Sequence, residues 1–266
     1  MVAPDDCPSQ AAYIKYFEPA IAVMQTEEAL ERIAIELCID SARENIDYLE
    51  VRWAPRLHMR RGLTVEQVIR AVVAGLDSGP IEAVAIVTAM RNHSIEDNVA
   101  LAREAGAFAG RGVVGFDLAG DEARFHAAPQ RPACEAARAA GLHLTCHAGE
   151  AGEPSSVEEA LDLGVERIAH GVIGARDPRV VDRVRAEGIV LDMCPTANLK
   201  CKAVMSLADH PLPRLVRAGV RCTISTDSRT VADTTLSHEF ELMSQAGMTD
   251  DELHQCNRTA YQAKFG

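Results

Sequence analysis

The amino-acid sequence predicts an α/β protein with the architecture of a (β/α)8 TIM-type barrel that lacks its first strand. Seven strand candidates alternate with helical patterns, and each strand–helix unit is about 25 to 35 residues long, which is typical of parallel βα repeats. Several strands end in polar, reactive residues, and barrels keep their active sites at the carboxyl ends of their strands. No Gly-x-Gly-x-x-Gly follows any strand, which disfavours a dinucleotide-binding sheet. The 266 residues, 47% of them apolar, suffice for one domain over residues 1–266.

The individual elements follow from the apolar periodicity in chain order. Apolar residues at helical spacing follow Thr26, which is a favourable N-cap with acidic residues behind it. A strand with alternating residues comes next at 48–53, and the capping box Thr64-x-x-Gln67 opens a second amphipathic helix. Further strands are predicted at 81–90, 112–118, 142–147, 167–170, 189–193 and 221–227.

Later helices and the two chain ends complete this pattern. A second capping box, Ser155-x-x-Glu158, and Thr249 with its acidic neighbours predict the starts of two helices. The first 25 residues supply no strand, so the prediction is seven strands rather than eight. A barrel without its first strand has two unpaired edges. We therefore expect an N-terminal segment to be missing, through a truncated reading frame or a misassigned start codon, and the last helices to be clipped after Phe265.

Composition excludes several classes of partner. The sequence has 39 acidic and 27 basic residues, a net charge of −12, whereas proteins that bind nucleic-acid backbones are normally basic. It contains no secretory signal pattern and no uncharged stretch near the roughly 20 residues of a membrane span. The eight cysteines form no Cys-x-x-Cys and most lie in apolar runs, which indicates buried reduced thiols. We expect a cytoplasmic protein that binds neither nucleic acid nor membrane.

Alternation along two predicted strands places polar side chains on one face. In the strand at 142–147, His143, Thr145 and His147 share a face opposite three apolar residues. The strand at 221–227 ends with Asp227 on its polar face. Because the apolar faces of barrel strands pack against the outer helices, we expect the polar faces to line the interior, where His147 and Asp227 converge. Such convergence suggests catalysis.

Motifs at the strand ends carry most of the chemical signal. Each has a structural explanation when it stands alone: His147 as a hydrogen-bonded interior histidine, Glu150 as an acid at a helix N-terminus, His170 as a strand-end residue, and Asp227 as a turn residue. Their joint occurrence at the ends of neighbouring strands favours an active site. The motifs are His147-Ala-Gly-Glu150, Arg167-Ile-Ala-His170-Gly171, Cys194-Pro-Thr-x-Asn198-Leu199 and Ser225-Thr-Asp227.

In order and spacing, these motifs resemble the adenosine deaminase family of metal-dependent hydrolases. The resemblance covers roughly residues 10–265 and includes three further family signatures: Thr234-Thr-Leu-x-x-Glu239, Leu118-Ala-Gly-Asp-Glu122 and Glu50-Val-Arg-Trp-Ala-Pro55. It implies a barrel of the metal-dependent hydrolase kind, Zn²⁺ as the cofactor and a small purine nucleoside as the substrate. The implied reaction is hydrolytic deamination of adenosine to inosine and ammonia.

The resemblance also implies roles for individual residues. His147 and Asp227 would be zinc ligands, and zinc lowers the pKa of a bound water to about 7 so that hydroxide attacks C6 of the purine. Glu150 would protonate ring nitrogen N1 and thereby make C6 electrophilic. His170 would hold the attacking oxygen and stabilise its charge. Gly120 would offer a backbone N–H to the edge of the purine, at a position where a side chain would obstruct approach.

Two departures from the family pattern affect the site. The family carries a His-x-His pair on the first barrel strand, whereas this sequence contains no His-x-His and its first histidine is His58. Because catalytic zinc normally has three protein ligands, the ligand set formed by His147 and Asp227 is incomplete. Ser228 stands where many relatives have Asp; its hydroxyl still donates and accepts, so it is predicted as a purine contact.

The sequence leaves two other functions open. One is deamination of a related 6-aminopurine compound, such as an aminofutalosine-type intermediate or a modified adenine nucleotide. The other is a non-catalytic remnant that keeps the barrel face without a complete metal site. The oligomeric state is also open. The remaining histidines in polar or helical surroundings are predicted at the surface: His93, His126, His210, His238 and His254.

Overall fold

The computed structural model describes residues Met1–Gly266. It contains seven strands: β1 (Tyr48–Trp53), β2 (Glu82–Met90), β3 (Val113–Ala119), β4 (His143–Ala148), β5 (Arg167–His170), β6 (Val190–Met193) and β7 (Arg221–Ile224). Neighbouring strands are parallel and follow chain order from β1 to β7. This is the order of a (β/α)8 barrel without its first strand, which confirms the predicted fold class.

The strands lie within one or two residues of their predicted bounds, except at the end of β7. The prediction extended that strand to 227, but it ends at Ile224. Asp227 has φ 53°, in the left-handed region, and this backbone conformation is incompatible with a strand. Asp227 therefore lies on the turn that follows β7.

Thirteen α-helices accompany the strands: α1 (Gln10–Tyr13), α2 (Glu18–Val23), α3 (Glu27–Arg43), α4 (Val65–Asp77), α5 (Ile95–Gly106), α6 (Arg131–Ala139), α7 (Ser155–Asp162), α8 (Pro178–Ala186), α9 (Pro195–Lys200), α10 (Leu212–Arg217), α11 (Arg229–Ala232), α12 (Leu236–Gln245) and α13 (Asp250–Gln262). Short 3-10 helices lie at Ile14–Phe17, Pro55–His58, Ala128–Gln130, Ile173–Arg176 and Leu207–Asp209. The first 25 residues form helices and no strand, as predicted. None of the helices combines the length and the apolar character needed to cross a membrane.

Side-chain caps start most of the helices that the sequence predicted. The Thr26 hydroxyl accepts from the N–H of Ala29, and complete capping boxes form at Thr64 and Thr249. The capping box predicted at Ser155 is wrong. Pro154 occupies the cap position of α7, Ser155 is already the first helical residue, and no side chain caps this helix.

The chain divides into two compact units. The first comprises Met1–Phe17, Gly120–Ala128 and Thr145–Lys264, and the second comprises Glu18–Ala119, Pro129–Leu144 and Phe265–Gly266. One domain over residues 1–266 remains a prediction.

The second unit contains β1 to β3, the first two residues of β4, and α2 to α6. Gly75 in α4 permits close packing with α3, because a Cβ there would lie 2.4 Å from the carbonyl oxygen of Glu31. Ile86 and Phe116 are fully buried in its core. The ring of Phe265 stacks on the exposed His143 with centroids 4.6 Å apart, so the prediction that His143 lines the interior is wrong.

The first unit contains the rest of β4, then β5 to β7 and α7 to α13, together with α1. A buried polar layer crosses its strands: Asp192 accepts a hydrogen bond from Thr223 at 2.9 Å and lies 3.7 Å from Arg167. Arg167 also donates to the carbonyl of Ala263 at 3.0 Å. Around this layer the side chains are apolar. In the chain as a whole, all eight cysteines are free and buried, which confirms their prediction as buried thiols.

Replacement of Thr249 by Ala removes the side-chain acceptor of the α13 capping box and should lower the free energy of unfolding by about 1 kcal/mol. Ser155→Ala is the matched control, because Ser155 caps nothing, and it should change stability by less than about 0.5 kcal/mol. Urea denaturation followed by circular dichroism measures both values. Equal losses in the two variants would contradict the assignment of the caps.

Candidate active site

Three strand ends of the first unit supply the predicted site residues. Glu150 lies in the turn after β4, His170 is the last residue of β5, and Asp227 lies in the turn after β7. These three strands are parallel members of one sheet, in which β6 lies between β5 and β7, so their carboxyl ends lie at one edge. Residues that are distant in the sequence therefore meet at this edge.

The structure brings these three side chains into one cluster. One potential ligand atom from each of Glu150, His170 and Asp227 lies within 4.8 Å of the others. Glu150 and His170 are buried, whereas Asp227 is exposed. His170 Nε2 lies 3.6 Å from Glu150 Oε2, and the ring of the half-buried His147 lies 5.3 Å from that of His170, measured between centroids. All four predicted groups thus lie together, while their individual roles remain predictions.

Two of the cluster residues have left-handed backbone conformations. His170 has φ 72° and Asp227 has φ 53°, values that cost non-glycine residues about 1 to 3 kcal/mol each and concentrate at functional sites. The neighbouring glycine at 149 has φ 76°, and a Cβ there would lie 3.0 Å from the backbone of Gly171. Close backbone packing at these turns therefore aims the side chains of Glu150 and His170 toward each other.

Glu122 holds the turn that carries Glu150. One of its carboxylate oxygens accepts from the N–H of Gly149 at 2.5 Å, and the other accepts from the N–H groups of Glu150 and Ala151, each at 3.0 Å. Glu122 is itself buried. In the sequence, Glu122 belongs to the motif Leu118-Ala-Gly-Asp-Glu122 without a predicted role, and this motif was the signal that pointed to it.

Helix α1 contributes two residues that the sequence analysis missed. The Gln10 amide donates to Glu150 Oε2 at 2.5 Å and accepts from the N–H of Glu122 at 3.1 Å. Tyr13 is buried beside the cluster, and its burial, reinforced by the charges of Asp227 and Glu150, raises the pKa of its hydroxyl. No motif surrounds either residue in the sequence, so only the tertiary structure identifies them.

The cluster retains acceptor capacity. Glu150 Oε1 is buried and has no nitrogen or oxygen donor as partner, and the buried Tyr13 hydroxyl also has no hydrogen-bond partner. Burial, followed by the charge of Glu150, raises the pKa of the Cys201 thiol, so this neighbour is protonated at neutral pH. The site therefore places a buried oxygen of Glu150 next to two protonated neighbours, Tyr13 and Cys201.

These donors fit a divalent metal ion. Imidazole and carboxylate are both zinc ligands, and a buried carboxylate oxygen without a hydrogen-bond partner is costly unless a ligand or cation satisfies it. One potential ligand atom from each of Glu150, His170 and Asp227 lies within 4.8 Å of the others, and the Asp227 carboxylate is a donor of this kind. His147 adds an imidazole next to them.

Gly120 and Ser228 were predicted to contact the substrate. Gly120 has φ 121°, a conformation that glycine adopts readily, and it is half-buried. The Ser228 hydroxyl accepts from the N–H of Val231 at 3.4 Å and caps the short helix α11. Substrate contact by Gly120 and Ser228 stays a prediction.

One of the histidines predicted at the surface is buried. His126, His238 and His254 are exposed, as predicted, and His93 is half-buried. His210, in contrast, is only 4% exposed, and burial lowers its pKa to about 4. The surface prediction for His210 is therefore wrong: its polar neighbours in the sequence do not surround it in the fold.

Comparison with known proteins decides the family. The model of the family described as Adenosine deaminase matches residues 2–266. The chain belongs to the adenosine deaminase family. The adenosine deaminase of Shewanella halifaxensis (strain HAW-EB4) is 39% identical over 275 residues, an alignment that covers 100% of this chain and 82% of the relative. That of Clostridium perfringens (strain 13 / Type A) is 37% identical over 246 residues, covering 91% of this chain and 74% of the relative.

Solved structures of other deaminases have the same fold. The adenine deaminase of Arthrobacter aurescens has a TM-score of 0.91 and 25% identity, covering 98% of this chain and 82% of its own. The N6-methyl-AMP deaminase of Arabidopsis thaliana has a TM-score of 0.88 and 26% identity, and the alignment covers 97% of this chain and 80% of that protein. A zinc-bound amidohydrolase from Burkholderia ambifaria has a TM-score of 0.87 and 25% identity, and the alignment covers 98% of this chain and 79% of that protein. These similarities support a hydrolytic deaminase.

Replacement of Glu122 by Ala removes the acceptors of three backbone N–H groups and should lower the free energy of unfolding by about 1 to 3 kcal/mol. The amide protons of residues 149–151 should also exchange faster with solvent. Glu153→Ala is the control, because that exposed side chain lies close by in the sequence. Hydrogen exchange and thermal unfolding measure the effects. The N–H of Gly149 also donates to the Ser156 hydroxyl at 3.2 Å, so residues 150 and 151 decide the test: wild-type protection at both in the Glu122 variant would contradict the proposed anchor.

Proposed function

We propose that this chain catalyses the hydrolytic deamination of a 6-aminopurine nucleoside, converting adenosine to inosine and ammonia, with Zn²⁺ as its cofactor. The cluster of Glu150, His170 and Asp227 at the strand ends carries this proposal, because it joins an acid, a hydrogen-bonding imidazole and a metal-ligating carboxylate within 4.8 Å. The adenosine deaminases of the same family support adenosine as the substrate.

His147 and Asp227 would hold the zinc ion. His147 supplies an imidazole beside the cluster, and Asp227 supplies its most exposed carboxylate, at the edge that solvent reaches. When bound, zinc supplies Lewis-acid chemistry that activates water at neutral pH. The zinc-bound amidohydrolase with the same fold supports zinc as the cofactor.

Glu150 and His170 would act on the purine and on the attacking water. Glu150 donates a proton to ring nitrogen N1, which makes C6 electrophilic. The water oxygen then bonds to C6 while one of its protons returns to Glu150 and the other passes to the exocyclic nitrogen. The bond from C6 to that nitrogen breaks, and the nitrogen leaves as ammonia. His170 donates a hydrogen bond to the attacking oxygen and stabilises its charge. Both side chains are buried, so these interactions act in a medium of low dielectric constant.

Gly120 and Ser228 would position the purine. The backbone N–H of Gly120 donates to the ring edge, and the Ser228 hydroxyl, which both donates and accepts, contacts the ring on its other side. Ser228 also caps α11, so its hydroxyl is held in a defined place. These contacts orient C6 toward the attacking oxygen.

A related 6-aminopurine compound is the alternative substrate. Solved structures with this fold include an adenine deaminase and an N6-methyl-AMP deaminase, so the fold accommodates bases and nucleotides as well as nucleosides. Initial rates with adenosine, adenine, AMP and N6-methyl-AMP at equal concentration distinguish the substrates. A kcat/KM highest for adenosine supports the proposal. A higher value for another compound would replace the substrate, and no turnover of any of them would favour the non-catalytic remnant.

Glu150→Gln removes the proton donor while preserving its size and should lower kcat for adenosine by about a hundredfold to ten-thousandfold, with the zinc content unchanged. Glu153→Gln, at an exposed position three residues away, is the matched control and should keep wild-type turnover. The fall in adenosine absorbance measures turnover, and metal analysis measures zinc. Wild-type rates in the Glu150 variant would remove this residue from the mechanism.

Asp227→Asn weakens a proposed metal ligand and should reduce zinc affinity at least about tenfold. Asp233→Asn is the control, because Asp233 is also an exposed aspartate with a left-handed backbone after β7, and Asn tolerates that conformation. Competition with a chelator that reports free zinc measures both affinities. Equal affinities in the two variants would exclude Asp227 as a ligand.

A further inference from the structure

A buried chain of hydrogen bonds reaches His170 from the side opposite Glu150. It begins at the backbone N–H of Leu212, the first residue of α10, which points at His210 Nδ1 over 3.3 Å. His210 Nε2 lies 3.4 Å from Asn198 Oδ1, and Asn198 Nδ2 lies 3.0 Å from His170 Nδ1. His210, Asn198 and His170 are at most 4% exposed. We call these three residues and the Leu212 N–H the relay.

The first contact of the relay fixes which atoms donate and which accept along it. A backbone N–H only donates, so His210 Nδ1 must accept and carries no proton. A neutral imidazole with an unprotonated Nδ1 has its proton on Nε2. Burial lowers the pKa of His210 to about 4, which agrees with a neutral ring at pH 7. His210 therefore donates from Nε2 toward Asn198.

The amide of Asn198 extends the same order of donor and acceptor to His170. Its amide has one acceptor and one donor group, so an Oδ1 that accepts from His210 leaves Nδ2 to donate to His170 Nδ1. The backbone of Asn198 is fixed as well, because its N–H donates to the carbonyl of Cys194 at 2.8 Å and its own carbonyl accepts from the N–H of Val204 at 3.2 Å. A flipped amide would set its Nδ2 donor against the N–H donor at His210 Nε2, so the contact with His210 fixes the orientation of the amide.

We propose that His210 and Asn198 are positioning residues that hold His170 as the neutral tautomer with its proton on Nε2. This inference rests on the proposed function and specifies how His170 serves it. The Nδ1 lone pair is occupied by Asn198, and Nε2 faces the cluster 3.6 Å from Glu150 Oε2. His170 therefore offers an N–H to the attacking oxygen and has no lone pair for a metal, although it lies among potential ligands. Metal ligation falls to His147 and Asp227.

The ring nitrogens of His170 report the tautomer directly. Long-range ¹H–¹⁵N correlation spectra of the full, metal-free chain labelled with ¹⁵N-histidine distinguish protonated from unprotonated ring nitrogens. The signals of His170 are those that disappear in His170→Gln. We expect a protonated Nε2 and an unprotonated Nδ1. A proton on Nδ1 in the wild-type chain would overturn the proposal.

Variants test the dependence of the tautomer on the relay. His210→Phe keeps the ring volume but removes the donor, so His170 should become a mixture of tautomers and kcat should fall about tenfold with KM changed by less than about twofold. His210→Gln retains a terminal N–H₂ for Asn198 Oδ1 and should restore most of both properties. A loss of packing alone would not be rescued by Gln, and an unchanged tautomer in His210→Phe would overturn the relay.

Asn198→Asp provides a second variant of nearly identical shape. A carboxylate accepts at both oxygens, so it should draw the proton of His170 to Nδ1 and reverse the tautomer. Retention of the Nε2 proton in this variant would contradict the proposal even if His210→Phe fails to fold. The spectra need neither zinc nor turnover. A wild-type chain with the expected tautomer and no deaminase activity would retain the relay and reject the proposed function.

Discussion

Burial of the Glu150 carboxylate is the constraint on which the site depends. A buried carboxyl group requires hydrogen-bond partners, and the chain supplies only part of that requirement, through the amide of Gln10. The turn beneath Glu150 is held by a second buried carboxylate, Glu122, which takes three backbone N–H groups. The remaining oxygen of Glu150 has no nitrogen or oxygen donor as partner. The fold thus buries one incompletely satisfied polar group in the cluster.

The two imidazoles of the site also differ in their surroundings. His147 and His170 lie on neighbouring strands with their rings 5.3 Å apart, yet they differ in what their nitrogens can do. In our proposal the relay through Asn198 would reserve His170 for hydrogen bonding and leave His147 for coordination. Two identical side chains would then differ in chemistry because a single backbone N–H, that of Leu212, orients the hydrogen bonds behind one ring.

Much of the fold was predictable because it depends on local order. Seven strands and three helix caps follow from apolar periodicity and N-cap chemistry, and the strand ends then bring Glu150, His170 and Asp227 together. The predictions that were wrong or incomplete concern contacts that form only in the tertiary structure. His210 lies in a polar stretch, but the fold buries it behind Asn198, and Gln10 reaches Glu150 from 140 residues away. Neither contact is associated with a periodic pattern in the sequence that could have predicted it.

The buried thiols can report local unfolding of this protein. Burial raises the pKa of Cys134 to about 11 and that of Cys256 to about 12, so both remain protonated and shielded in the native state. Alkylating reagents attack thiolates that they can reach. The order in which the eight sulfurs are labelled over time therefore ranks the regions of the chain by how readily each one comes apart.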